Sequence, residues 1–280
     1  MYDFYCLGQE QLGDDLSDYL IFVKRTLPRW VNSIPDNEYL AIFQQARATL
    51  RSGDAIVETG CGASSLALVC AAIKTGAMLY SWDLNGSKLE FMRNVAFQTL
   101  GRVLGADINK YWHSINYNST DNHLGIEVIR EQNRQIGLAF LDSYHTLDHV
   151  MEELRITADN LRKGASIIID DAYYTNKSVN YSYINIMRKK LGLPEVAEPE
   201  VNRTEPYWQH VEKFLRTKFN PVSMVDSGET DYCDDTYFAY YDLDRKAINH
   251  LGMEDRDQLH NRFKIWVLGD PMRKEPAGPD

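Results

Sequence analysis

The chain has 280 residues, 44% of them hydrophobic and 25% charged, with a formal net charge of -10. That make-up suits a folded, enzyme-sized chain with one substantial core and excludes a disordered or collagen-like protein. The acidic balance, with no dense basic cluster, argues against nucleic acid as a partner.

The longest apolar stretch, Leu66 to Trp82, is interrupted by Lys74 and Gly76, so no membrane-spanning run is expected. The start, Met1-Tyr2-Asp3-Phe4-Tyr5-Cys6, lacks a basic region followed by an apolar block, and Asp14 and Asp15 come soon after, so no secretory signal is read. Cys6, Cys61, Cys70 and Cys233 show no CxxC spacing and read as scattered reduced thiols. The expected location is cytoplasmic, with no membrane partner.

Before Gly53 the pattern is helical, with Leu16, Leu20, Val23 and Leu27 in one segment and Leu40, Phe43, Ala46 and Leu50 in the next. Residues 1–52 are therefore expected to form a helical N-terminal extension. From Asp54 the pattern changes to short β-rich runs separated by amphipathic stretches, the alternation of a parallel α/β sheet. Strands are expected near 55–59, 78–83, 110–116, 136–141 and 165–170. Crossover helices are expected over Ser64–Lys74, Lys88–Leu100, Asn122–Gln132 and Thr146–Leu161.

After Asp171 the spacing predicts a helix near 180–190, then a stretch interrupted by Pro194, Pro199 and Pro206 that reads as a surface insertion over about 176–220. A helix over Tyr207–Lys218, a strand near 221–226 and the run Thr236-Tyr237-Phe238-Ala239-Tyr240-Tyr241 are expected to finish the sheet with an antiparallel pair. The main domain is set at 53–268, with 269–280 a loosely ordered tail.

Three constellations carry chemistry. The first is Glu58-Thr59-Gly60-Cys61-Gly62-Ala63-Ser64-Ser65, a strand ending in an acid, then a glycine turn and a helix start, where backbone can approach a ligand and helical N–H groups face it. The next strand ends at Asp83-Leu84-Asn85, placing a carboxylate where it can accept hydrogen bonds from a ribose. Together they point to an adenosine-containing ligand, although a tight βα turn without a ligand has the same outline.

The second and third are Asp142-Ser143-Tyr144-His145-Thr146 and Asp170-Asp171-Ala172-Tyr173-Tyr174, each closing a strand. Acids at the carboxyl ends of neighbouring parallel strands converge on one crevice and repel unless a cation lies among them, and Mg²⁺ suits such oxygen ligands. Helix capping by Asp142 and Asp170 is the plainer account, but it leaves the doubled Asp170-Asp171 unexplained. His145 and His149 have HxxxH spacing, yet Thr146 stands where a zinc hydrolase places Glu. His145 lies close enough to Asp142 to act as a general base, or else is a solvated helix-start histidine. His149 is expected to pack or bond locally.

These residues resemble class I S-adenosylmethionine-dependent methyltransferases, and within them the metal-dependent O-methyltransferases. Glu58-Thr59-Gly60-Cys61-Gly62 is similar to their first motif and Asp83 to their ribose-binding acid. The tract from Leu141 to Tyr174 is similar to their metal-binding half, and its wording is nearest to the cephalosporin hydroxylase-type and macrocin-type sugar methyltransferase groups. Ser64 and Ser65 depart from the pattern, where many members keep another glycine.

The resemblance implies a Rossmann-like, doubly wound, mostly parallel sheet. It implies S-adenosylmethionine held by Glu58, Gly60, Gly62, Ser64, Ser65, Asp83, Leu84, Ser119 and Asp142. It further implies Mg²⁺ or another divalent cation on Asp142, Asp170 and Asp171, with His145 as base. The expected partner is a small hydroxyl acceptor such as a vicinal diol, sugar or catechol, with Tyr173 and Tyr174 in its pocket, and the protein is expected to be a homo-oligomer. A nicotinamide oxidoreductase would share the glycine turn and Asp83 but gives no role to the three acids, and a non-catalytic cofactor-binding protein would reduce them to caps.

Overall fold

The computed structural model describes residues 16–34, 36–116, 125–143, 146–170, 172, 174–175, 181–190, 192–197, 205–225 and 264–272. Seven strands form one sheet: β1 (Ala55–Thr59), β2 (Met78–Asp83), β3 (Trp112–Asn116), β4 (Ile136–Leu141), β5 (Leu161–Ile169), β6 (Phe219–Val225) and β7 (Lys264–Pro271). Their order is β3-β2-β1-β4-β5-β7-β6, with β1 to β5 parallel and β7 antiparallel to both its neighbours. This is the expected Rossmann-like, doubly wound arrangement. The order reverses between β1 and β4, so the crevice of the sheet opens where those two strands end.

The central strands β1, β4 and β5 are largely buried on both faces, and alternation divides the sheet's side chains between two cores. Ile56, Leu79, Leu138, Phe140 and Ile168 join one core, whereas Val57, Tyr80, Ala139, Ile167 and Ile169 join the other. The first is covered by helices α1 (Ser17–Thr26), α2 (Asp36–Thr49), α3 (Ala63–Thr75) and α4 (Gly86–Ala96). The second is covered by α5 (Glu127–Glu131), α6 (Leu147–Ala158) and α8 (Tyr207–Lys218), while α7 spans Tyr181–Lys190.

The helices before Gly53 form as expected and pack on this body. Tyr19, Leu20, Val23, Tyr39, Ile42, Phe43 and Ala46 are all buried in the first core. Polar contacts bind α2 to the sheet as well: Gln45 Nε2 donates to Ser166 Oγ at 2.7 Å, and the hydroxyls of Thr49 and Ser166 lie 2.9 Å apart. The apolar spacing predicted the helices, but periodicity does not say which surface a buried stripe faces.

Two features of the second half bear on where its elements lie. Helix α8, expected over the same residues, packs on the sheet, with Val211 and Leu215 buried in the second core. The antiparallel pair is closed by β7, Lys264–Pro271, which runs past the boundary set at 269, while residues 236–241 lie outside the described residues. Ile265, Trp266 and Leu268 bury the β7 strand, and a Cβ on Gly269 would lie 2.4 Å from Pro221 Cδ, so this glycine marks close strand packing.

Candidate active site

The glycine turn follows β1. Gly60 has φ +83°, and a Cβ there would lie 1.8 Å from the Asp142 carbonyl oxygen, so only glycine lets the ends of β1 and β4 approach this closely. Its N–H donates to Trp82 O at 2.8 Å. Gly62 is extended at φ -174°, and α3 starts at the next residue. A Cβ on Gly62 would be 3.2 Å from Val31 O, which places the 3₁₀ turn Arg29–Val31 against the glycine turn.

Glu58, expected at the cofactor, stands near the end of β1, just before the turn. Strand alternation turns it toward α3, where it is fully buried. Ser64 Oγ donates to Oε1 at 2.8 Å, Ser65 Oγ donates to Oε2 at 2.7 Å, and Ser81 Oγ also donates to Oε2. The side chains of Glu58, Ser64 and Ser65, expected at the cofactor, are thus engaged with one another beneath the turn. The two serines that stand in place of a further glycine thus supply hydroxyl donors to a buried carboxyl. Burial pushes Glu58 up from 4.5 to about 7, against the lowering effect of Ser81, Ser65 and Ser64. Cys61 is buried too, and burial raises its thiol far above its ordinary range, which makes it a packing residue and no nucleophile.

Asp83 stands at the end of β2, beside the glycine turn. Cys61 N–H donates to its Oδ2 at 2.9 Å and Asn85 N–H to its Oδ1 at 2.7 Å. Lys88, in the first turns of α4, places Nζ 3.3 Å from Asp83 Oδ2. Burial alone would lower the Lys88 pKa, but Asp83 foremost, with Cys61 and Asp142, raises it overall. Asn116 ends β3 in register with Asp83, and its Nδ2 donates to the carbonyls of Asp83 and of half-buried Leu84 at 3.0 and 2.9 Å. Backbone and side-chain bonds therefore hold the acid facing the turn.

On the other side of the crevice, Leu141 pairs with Ile169, and Asp170 N–H donates to Leu141 O at 3.1 Å. Asp142 and Asp170 therefore close adjacent strands, and both are half-buried. Asp142 N–H donates to Thr59 O at 3.1 Å, and Thr59 Oγ1 donates to buried Glu153 Oε2 at 3.0 Å, which ties β1, β4 and α6 together. Half-buried Tyr174 follows β5, and its carbonyl accepts Tyr207 N–H at 2.9 Å, docking the start of α8 at this end of the sheet.

The described residues thus bring together Gly60, Gly62, Asp83, Leu84, Asp142 and Asp170. Ser119, His145, Asp171 and Tyr173 lie outside them. Among the described residues no group of three or more His, Cys, Asp or Glu side chains comes together as a metal site. His149 lies 3.2 Å from Glu153 Oε1 one helical turn along, the local contact expected of it.

Lys88 and Asn116 escaped the sequence reading, while Thr59 and Glu153 lay inside the tracts that carry the resemblance but were given no role of their own. Asn116 had a usable signal, because it is a polar residue at the end of a strand next to β2. Lys88 had a fainter one, as a cation in the first turns of the helix that follows Asp83.

Residues 57–172 match the family model of a methyltransferase domain. Among solved structures, cofactor-bound Rv0187 from MTB is 12% identical, with 92% of each chain covered and a TM-score of 0.49. The SAM-dependent O-methyltransferase of Thermotoga maritima is 12% identical, with 93% of this chain and 73% of that one covered and a TM-score of 0.46. The O-methyltransferase of Bacillus cereus in complex with SAH is 14% identical, with 76% and 83% covered and a TM-score of 0.44. No curated protein matches the sequence. The sheet has the Rossmann-like order of the class I fold, and its part within residues 57–172 matches the methyltransferase-domain model.

Proposed function

We propose that this chain is an S-adenosylmethionine-dependent O-methyltransferase that acts on a hydroxyl of a small molecule, a vicinal diol, sugar or catechol, with the help of a divalent cation. The observation that carries this reading is the direct contact between the glycine turn and Asp83, through Cys61 N–H at 2.9 Å, at the point where strand order reverses. A turn that admits backbone to a ligand, beside a fixed acid able to take ribose hydroxyls, suits the adenosyl half of that cofactor.

The donor chemistry at the other end of the crevice fits a hard cation. Asp142 and Asp170 close neighbouring strands, and Asp171 follows directly in sequence, so acids from two strand ends come to the same end of the sheet. A bound divalent ion would lower the pKa of an acceptor hydroxyl. The chain's own residues orient the reactants: Asp83 fixes the cofactor, Asp142 and Asp170 fix the acceptor side, and His145 is assigned to take the hydroxyl proton. Tyr173 and Tyr174, after β5, are assigned to the acceptor pocket, with Leu84 and Ser119 toward the adenosyl end.

Calorimetric titration with S-adenosylmethionine tests the cofactor. Micromolar binding by the wild type, lost in Asp83→Ala, supports the reading, and no binding by the wild type overturns it. Transfer of a labelled methyl group to a panel of catechols and diols, lost on adding EDTA and restored by Mg²⁺, supports the metal and the oxygen acceptor. Undiminished transfer in EDTA would overturn the metal.

A further inference from the structure

A cavity of about 350 Å³ lies outside the crevice, between α4 and the edge strand β3, with Leu89 and Phe97 as its apolar part and Glu90, Arg93, Ser114 and Asn116 among its polar walls. Its volume falls within the range of small-molecule sites, roughly 300–1,000 Å³. Neither the glycine turn nor Asp83 lines it. Asn116 forms the shared boundary, since its Nδ2 donates to the carbonyls of Asp83 and Leu84. Half-buried Arg93 donates from Nη1 to Ser114 Oγ at 3.1 Å and from Nη2 to Asn109 Oδ1. Both acceptors are neutral, so the guanidinium keeps further N–H donors and has no carboxylate partner among the described residues. Glu90 is exposed and likewise pairs with no cation among the described residues. The two charges stand one turn apart on the same face of α4, both at the cavity, and still make no ion pair with each other.

We propose that this cavity binds a small zwitterion of the amino-acid type with an apolar side chain, its carboxylate on Arg93 and its ammonium on Glu90. A plain anion would meet the Glu90 carboxylate as well as Arg93, and a plain cation would meet the reverse, whereas a molecule carrying both charges suits both walls. The hydrogen bonds to Ser114 and Asn109 fix the Arg93 guanidinium in the wall, and its planar set of N–H donors matches a carboxylate. Buried Leu89 and half-buried Phe97 offer the apolar surface on which the side chain would displace water. Arg93, being partly shielded from solvent, contributes more than exposed Glu90, whose charge is screened by water. The inference stands apart from the cofactor reading, because the cavity shares no lining residue with the glycine turn or with Asp83.

Ligand-observed NMR titration of the full chain tests this with leucine, and with isocaproate and isoamylamine, which keep the apolar chain but each lack one charge. Leucine is expected to bind more tightly than either, and Arg93→Gln to weaken it about tenfold. Glu90→Gln is expected to weaken leucine about threefold and to leave isocaproate unweakened. Asp83→Ala should leave leucine binding as it is. Glu90 is exposed, so its variant folds whether or not Arg93→Gln does, and it decides the question by itself. No binding of leucine by the wild type overturns the inference. So does equal binding of leucine and isocaproate, which would make the cavity a site for anions alone. Loss of leucine in Asp83→Ala with retention in Arg93→Gln would place it in the crevice and overturn the inference as well. A wild type that binds leucine as expected but no S-adenosylmethionine would fail the cofactor reading and leave this one standing.

Discussion

Thr59 and Glu153, ninety-four positions apart, meet in a buried hydrogen bond in which Thr59 Oγ1 donates to Glu153 Oε2 at 3.0 Å. It joins the last residue of β1 to the middle of α6, and the main chain of Thr59 in turn accepts Asp142 N–H. The threonine hydroxyl thus supplies a donor to one oxygen of this buried carboxyl, while the other faces His149 Nε2 at 3.2 Å.

Replacing Glu153 with Ala is expected to destabilise the protein by about 1–3 kcal/mol, because it leaves the Thr59 hydroxyl without its buried acceptor. Glu153→Gln retains an acceptor oxygen and should cost less. Urea unfolding of the two variants checks the ranking, and equal losses would show that the carboxylate charge, and not the hydrogen bond, is what matters.

Glu58 should impose a pH dependence on stability. Its carboxyl is raised from 4.5 to about 7 by burial, so the folded state holds the proton more tightly than the unfolded chain does. That contribution is full below about pH 4.5 and is lost as pH rises through about 7, amounting to about 3 kcal/mol. Relative to Glu58→Gln, the wild type is expected to lose stability between pH 5 and pH 8. Urea midpoints measured in parallel for the two proteins read this, and parallel curves would contradict it.

Gly60 and Gly62 should differ sharply as sites for alanine. At Gly60 the new Cβ meets the Asp142 carbonyl at 1.8 Å with φ at +83°, so Gly60→Ala is expected to cost about 3 kcal/mol or more or to prevent folding. At Gly62 the backbone is extended and the nearest atom is Val31 O at 3.2 Å, so a shift of a few tenths of an ångström suffices and the cost should be below about 1 kcal/mol. Thermal unfolding of both variants checks the contrast.

At the opposite end of the sheet, Arg162 Nε lies 3.0 Å from both Asp54 oxygens, with both side chains less than a tenth exposed. Asp54→Ala would strand the guanidinium in the interior and is expected to cost about 3–5 kcal/mol. Asp54→Asn, which keeps one acceptor, should cost less. Both leave the crevice untouched, so cofactor affinity measured on folded material should not change.

The parallel core of the sheet was legible because β-rich apolar runs and amphipathic stretches alternate from Asp54 onward, and each period is distinct. The placement of the helices before Gly53 was not, since Tyr39, Phe43 and Ala46 form a stripe that would look the same against any apolar surface. Strand β7 went unseen for a different reason: Ile265-Trp266-Val267-Leu268 is a short run whose partners lie far away in sequence, and an aromatic-rich competitor at 236–241 drew the assignment. In the site, Asp83 and the glycine turn could be read because strand, acid and glycine follow one another locally. Which side of the sheet Glu58 faces was not legible, because an acid at the end of a strand can face either side and only the partners Ser64, Ser65 and Ser81 reveal which.

The contact of Gly60 with the carbonyl of Asp142 also bears on how substrates enter. With no slack between the ends of β1 and β4, the glycine turn and the acid-bearing turn behave as one stiff unit. Motion that admits or releases a molecule is then expected in the neighbouring segments, such as the Arg29–Val31 turn beside Gly62 and the start of α8 at the turn after β5. Segments distant in sequence from both acids would then govern the pace of exchange, while the stiff unit keeps its shape from one turnover to the next.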